Sequence, residues 1–133
     1  MRAAGTFFVT MNPHPPYDSG EGVTLGRISI TKRFEGDLSG SSAVEMISAT
    51  TPVKGSAGYV AIERVFGTLD GRVGSFILQH SGTMNRGQPS LSVTVVPDSG
   101  TAGLKGLAGA MTIDITEGKH LYTFDYTLTT DAG

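Results

Sequence analysis

The sequence predicts an all-β protein, a closed eight-stranded antiparallel meander barrel. Three observations carry that expectation. Nineteen glycines and six prolines are spread along the chain, which disfavours long helices and suits short strands joined by tight turns. Between these breaks, apolar and polar residues alternate with the period of two expected of strands buried on one face. The connections are short, so segments adjacent in sequence should pair as neighbours, and closure is the economical way to remove the two edges of such a meander.

The first strand is expected over Arg2–Asn12, with Phe7, Val9 and Met11 on one face. Asn12–Gly22 contains three prolines that cannot join a central ladder, so it is expected to be a loop. Thr24–Glu35 sets Ile28, Ile30 and Phe34 against Arg27, Ser29, Thr31 and Arg33. A turn at Gly36-Asp37 leads into Leu38–Thr51, where Val44 and Met46 oppose Glu45 and Ile47, and Pro52–Ser56 supplies the next turn.

Tyr59–Thr83 is read as a hairpin about Asp70-Gly71, the two-residue signature of a type I′ turn. Asn85-Arg86-Gly87 then leads into Leu91–Val96. Whether that loop has three or four residues decides whether Leu91, Val93 and Val95 share a face with Gln79 or with His80. Gly100, Gly103, Gly106 and Gly109 follow at a spacing of three. No helical period follows them to form a phosphate loop, and no proline repeat accompanies them to form a collagen triplet, so a corner is expected. Ala110–Thr116 and His120–Thr129 close the chain about Gly118, with Met111, Ile113 and Ile115 on the face of Tyr122, Phe124 and Tyr126. Residues 1–133 are expected to form one domain.

Composition narrows the chemistry. With no cysteine, disulfides, thiol nucleophiles and cysteine metal sites are excluded. A net charge of -2 and a pI near 5.8 provide no field for phosphate backbones, so no nucleic-acid partner is expected. No apolar run approaches the roughly 18 residues of a membrane span, and the N-terminal run is too short for a signal-peptide core. A cytoplasmic protein without a membrane partner is therefore expected.

The hairpin orders the polar residues. If Leu69 faces Arg72, then Glu63 faces Leu78 and lies diagonal to His80, about 7–8 Å away between backbones, which long side chains span. Glu63 and His80 share a face with Tyr59, Ala61, Val65, Phe76 and Leu78, and Arg64 and Gln79 fall on the other. The first face carries Gly67, Gly74 and Gly82, which relieve crowding in a small barrel, so it is placed inside. Val60, Ile62, Phe66 and Ile77 then lie outside, which implies a subunit contact and a homo-oligomer. A desolvated Glu63–His80 pair could move protons near neutral pH. His14 sits in the proline-rich loop and His120 beside a turn, no two histidines share a short spacing with a carboxylate, and no GxSxG elbow occurs. No metal and no cofactor are expected.

Four stretches, SITKRFEGDLSG (Ser29 to Gly40), ERVFGTLDGRVGSFILQHSGT (Glu63 to Thr83), VVPDSGTAGLKGLAG (Val95 to Gly109) and HLYTFDYTL (His120 to Leu128), occur in that order. Together they resemble the bacterial Domain of Unknown Function 3224 family, over nearly the whole chain. The resemblance implies a barrel like that of allene oxide cyclase and no settled activity; by fold analogy alone it admits cyclase chemistry.

The first functional expectation is a barrel that binds a small, largely apolar molecule without a cofactor. Its contacts would come from Tyr59, Val65, Phe76, Leu78 and Tyr126, with Glu63 and His80 as polar groups. The alternative is a cofactor-independent cyclase or isomerase in the same cavity, with Glu63 or His80 as catalytic acid or base. The third is a structural barrel with a filled core that mediates assembly.

Overall fold

The computed structural model describes residues 1–129 of the chain. Its strands are β1 (Arg2–Pro13), β2 (Asp18–Gly20), β3 (Val23–Gly36), β4 (Leu38–Thr50), β5 (Ala57–Leu69), β6 (Arg72–Asn85), β7 (Gln88–Val95), β8 (Leu107–Thr116) and β9 (Lys119–Leu128). The sheet runs β1-β9-β8-β7-β6-β5-β4-β3-β2, and β1 also pairs with β3. That pairing closes eight long antiparallel strands into a barrel, with short β2 as an appendage on β3.

Four tight turns use one device, a non-glycine residue followed by glycine with both φ angles positive: Glu21-Gly22, Asp70-Gly71, Arg86-Gly87 and Glu117-Gly118. This geometry matches the right-handed twist of the strands it joins. Asp70-Gly71 sets the β5–β6 register as expected, with Leu69 facing Arg72 and Glu63 facing Leu78. Arg86-Gly87 settles the ambiguous register. The loop has two residues, so Asn85 faces Gln88, His80 faces Val93, and Leu91, Val93 and Val95 share the face of His80. Within the segment expected to be wholly loop, Asp18–Gly20 instead forms β2, because Glu21-Gly22 folds it back onto Val23–Leu25.

The face assignment follows the reading of the hairpin. Ala61, Glu63, Val65, Phe76, Leu78 and His80 are buried, whereas Val60, Ile62 and Phe66 are exposed. The two barrel ends differ. At the end bearing the Asp70-Gly71 turn, Phe7, Phe34, Phe76, Phe124, Tyr122 and Tyr126 pack into a continuous core with Leu38, Leu69 and Leu78. Phe76 and Phe124 stack with ring centroids 5.8 Å apart, and Phe34 meets Tyr122 edge-on at 5.7 Å. The single proton of the Tyr122 hydroxyl is shared between the carbonyls of Glu35 and Leu38, and its oxygen accepts from the Leu38 amide. Tyr126 hydrogen-bonds Asp70. These contacts tie β9 to the opposite wall.

The glycine-spaced segment completes this end. β7 and β8 pair only through Thr94 and Ala110. Below that point the 96–106 connection takes over as neighbour of β6: the amides of Val96 and Thr101 donate to the carbonyls of Ile77 and Ser75. A 3-10 turn at Ala102–Leu104 pushes Leu104 fully into the core. A side chain at Gly74 would strike the Thr101 carbonyl at 2.2 Å, so this approach requires glycine. The corner expected from the sequence is thus also the plug of the closed end.

Candidate functional site

The inward positions of β3, β4, β5 and β6 place one polar group each at mid-height: Lys32, Ser42, Glu63 and His80. Lys32 pairs laterally with Ser42 and Ser42 with Val65, and the stagger of the tilted strands brings Glu63 between them. Glu63 is 0% exposed and His80 5%. Glu63 Oε1 lies 2.7 Å from His80 Nε2 and 3.2 Å from Lys32 Nζ, and Ser42 Oγ donates to Oε2 at 2.5 Å. Burial alone would raise the Glu63 carboxyl. The His80 hydrogen bond, the Lys32 charge and the Ser42 hydroxyl outweigh it and hold Glu63 below the ordinary carboxylate value.

An ionised carboxylate only accepts hydrogen bonds, so Nε2 of His80 carries a proton, and in the neutral tautomer Nδ1 is the free acceptor. Among the described residues Nδ1 has no hydrogen-bond partner, yet no buried side-chain nitrogen or oxygen is left unsatisfied. Nδ1 therefore reaches accessible space. Lys32 Nζ sits 4.9 Å from the Phe7 ring centroid, a cation–π contact that steadies the buried ammonium.

Above this layer the barrel is not filled. A cavity of about 260 Å³ lies over Lys32 and His80, with Val9, Ile30, Val44, Met46, Leu91 and Ile113 among its walls. Exposed Met11 and Ile115 form its rim. Tyr59 also lines it, its ring lying across Gly82, where a Cβ would meet the ring at 2.4 Å. His120 lines the far side, with its ring 5.0 Å from Phe7. The cavity is an apolar cup with a polar floor, the usual form of a small-molecule site.

Of the residues singled out from the sequence, Glu63 and His80 are hydrogen-bonded as the pairing arithmetic allows, and Tyr59 and His80 line the cavity. Val65, Phe76 and Leu78 belong to the filled core, and Tyr126 lies at the closed end beside Asp70. None of these four faces the cavity. Two residues of the floor escaped the sequence reading. Lys32 shares the parity of Ile28, Ile30 and Phe34, and Ser42 that of Val44 and Met46, so period-two alternation was the signal for both.

An outer cluster looks superficially catalytic. His14 Nε2 lies 2.7 Å from Ser29 Oγ, and Ser29 Oγ donates to Glu45 at 2.9 Å, with Arg27 on the same carboxylate. The carboxylate holds the serine rather than orienting the histidine, the reverse of a nucleophile–base–orienter relay. Among the described residues no three His, Asp or Glu side chains converge to hold a metal, and no helix is long and apolar enough to cross a membrane.

A search of the curated proteins found no match. A solved structure of a protein of unknown function from Shewanella oneidensis MR-1, in the DUF3224 family, is 48% identical, with 97% of this chain and 98% of that chain covered and a TM-score of 0.92. The model of the family described as protein of unknown function (DUF3224) matches residues 3–126. With that match spanning nearly its whole length, the chain belongs to the DUF3224 family.

Proposed function

We propose that this protein binds a small, largely apolar molecule in the open half of the barrel, with Lys32 and His80 supplying the orienting contacts from the floor. One observation carries the reading: a cavity of about 260 Å³ ends on a buried ion pair instead of on packed side chains. Burying Lys32 and Glu63 is costly, and a merely structural barrel would gain more from continuing the aromatic core upward. At roughly 30 Å³ per water-sized group, the cup accommodates about nine such groups, the scale of a monocyclic compound. Tyr59 at the rim is placed to close over it. The cytoplasmic setting expected from the sequence is retained in this reading.

The test is binding of a panel of small cyclic ketones, read by methyl chemical shifts of Ile30, Val44 and Ile113. Wild-type protein should show saturable shifts, and Ala61→Phe, which fills the cup, should abolish them. No shifts in the wild type, or equal binding by the variant, would sink the reading.

The outer face supports a second proposal, on assembly. Val60, Ile62 and Phe66 stand exposed on one face of β5, with Arg64 between the last two, beside Ile47 of β4 and Val73 of β6, and such grouped apolar side chains favour a subunit contact. A homo-oligomer packed on this strip should elute from a sizing column ahead of a monomer, and Ile62→Asp with Phe66→Asp should return it to monomer size. A wild-type monomer at high concentration refutes the assembly.

A further inference from the structure

We propose that Lys32, Glu63 and His80 form a proton-transfer centre that isomerises enolisable carbonyl compounds. The inference rests on the binding reading above and adds to it a substrate class and a reaction. Three features point to it. His80 is anchored through Nε2 by an ionised carboxylate, which leaves Nδ1 as a base on the cavity side. Lys32 lines the same cavity with a side chain only 9% exposed and uses one of its three N–H donors on Glu63, with no other hydrogen-bond partner among the described residues. Lys32 Nζ and His80 Nε2 contact the same oxygen, Glu63 Oε1, which brings the ammonium and the imidazole ring together at one point of the floor, with Nδ1 as the ring's remaining nitrogen. A carbonyl oxygen held by Lys32 would set its adjacent carbon toward that ring.

Charge selects the substrate class. With His80 in the neutral form that a base requires, Lys32 and Glu63 cancel, and the floor carries no surplus positive charge for a permanent anion. A carboxylate would leave net negative charge buried in an apolar cup, which is costly. A neutral carbonyl becomes an oxyanion only during reaction, when it lies beside the Lys32 ammonium and His80 has become a cation held by Glu63. Stabilisation is then greatest where charge develops.

The step balances within the substrate. Nδ1 takes a proton from the carbon next to the carbonyl; the C–H pair becomes a C=C bond, and the carbonyl π pair moves to oxygen, where Lys32 donates to it. The proton then returns from Nδ1 to the far carbon of the resulting dienolate, and the C=O bond reforms. A β,γ-unsaturated ketone leaves as its conjugated isomer, with no oxidant or co-reactant. Glu63 acts as a positioning residue throughout.

The probe is 3-cyclohexen-1-one in D2O, followed by ultraviolet absorbance of the conjugated product and by loss of the α-proton NMR signals. Wild-type protein should accelerate both over buffer. His80→Ala and Lys32→Met should each lower the rate per molecule of bound probe by roughly a hundredfold or more, the bound fraction being read from the methyl shifts so that weakened binding is separated from lost chemistry. Glu63→Gln should also alter the ring 15N shifts of His80, since the Nε2-protonated tautomer loses its anchor. Probe that binds without α-exchange in the wild type, or a rate indifferent to His80→Ala, overturns this inference and leaves the binding reading standing. Failure of the whole ketone panel to bind overturns both.

Discussion

The two ends of one barrel are built from the same strands and reach opposite solutions. At the closed end Phe34, Phe76, Phe124 and Tyr122 interdigitate, and Leu104 fills the remaining space from outside the ring. At the open end the inward positions carry smaller side chains, Val9, Ile30, Val44 and Ala61, and the space above them stays empty. Between them lies the charged layer of Lys32, Glu63, Ser42 and His80. An eight-stranded barrel is just wide enough for its side chains to fill, so leaving half unfilled reflects side-chain choice rather than geometry. The closed end supplies the stability on which an open, polar-floored cup can be maintained.

Truncation should expose that division most strongly. Phe124→Ala removes a fully buried ring stacked on Phe76 and Tyr126 and should cost about 3–5 kcal/mol. Ile113→Ala, on the cavity wall, removes a side chain already bordered by space and should cost about 1 kcal/mol. Urea denaturation of the two variants measures the difference. Equal losses would mean that the upper half collapses on itself in solution and that no cup persists.

The charged layer offers the next test. Glu63→Leu leaves the Lys32 ammonium buried without its counter-charge and should destabilise by about 3–5 kcal/mol, somewhat less if Lys32 bends toward the open cup. Adding Lys32→Met should recover most of that loss, because an apolar pair of similar volume is often as stable as a buried ion pair. If the double variant is no better than the single, the layer contributes stability beyond charge balance and the functional argument for its retention weakens. The native pair also has a sign in pH. Because the folded Glu63 carboxyl is held low, its contribution is complete above the unfolded value of about 4.3 and is lost as pH falls through the lower folded value.

Much of this arrangement was legible in the chain. Asp70-Gly71 fixed one register, and that register alone put Glu63 and His80 on one face. Arg86-Gly87 was harder to read, because a loop flanked by Asn85 and Gln88 has no apolar residue to mark where the strands stop, and only the backbone shows both residues at positive φ. Lys32 was missed for a different reason. Its parity marks it as inward, but a lysine among Ile30 and Phe34 makes sense only with its counter-charge, and Glu63 lies two strands away across β4. Such a contact depends on barrel curvature and stagger, which alternation within a strand does not encode. The same holds for the plug: glycine spacing suggested a corner, but Leu104 finds its place only once β7 and β8 diverge.

The smallest expected effect belongs to the closed end and separates the two halves by pH rather than by volume. Tyr126 hydrogen-bonds Asp70, and burial together with that carboxylate pushes its hydroxyl up to about 12. An unfolded tyrosine titrates near 10. A group whose folded value is raised contributes stability fully present below the unfolded value and lost as pH rises through the folded one, so this contribution should decay between about pH 10 and pH 12. Tyr126→Phe removes the titrating group and leaves Asp70 open to solvent at the turn. Near neutral pH the variant should lose on the order of 1 kcal/mol, the typical net value of one hydrogen bond, and its alkaline transition should be shallower than that of the wild type. Urea midpoints at neutral pH and near pH 11 measure both effects. Parallel alkaline losses in the two proteins would show that Tyr126 does not stay protonated against Asp70, and that the closed end is held by aromatic packing and the Tyr122 hydrogen bonds without this link.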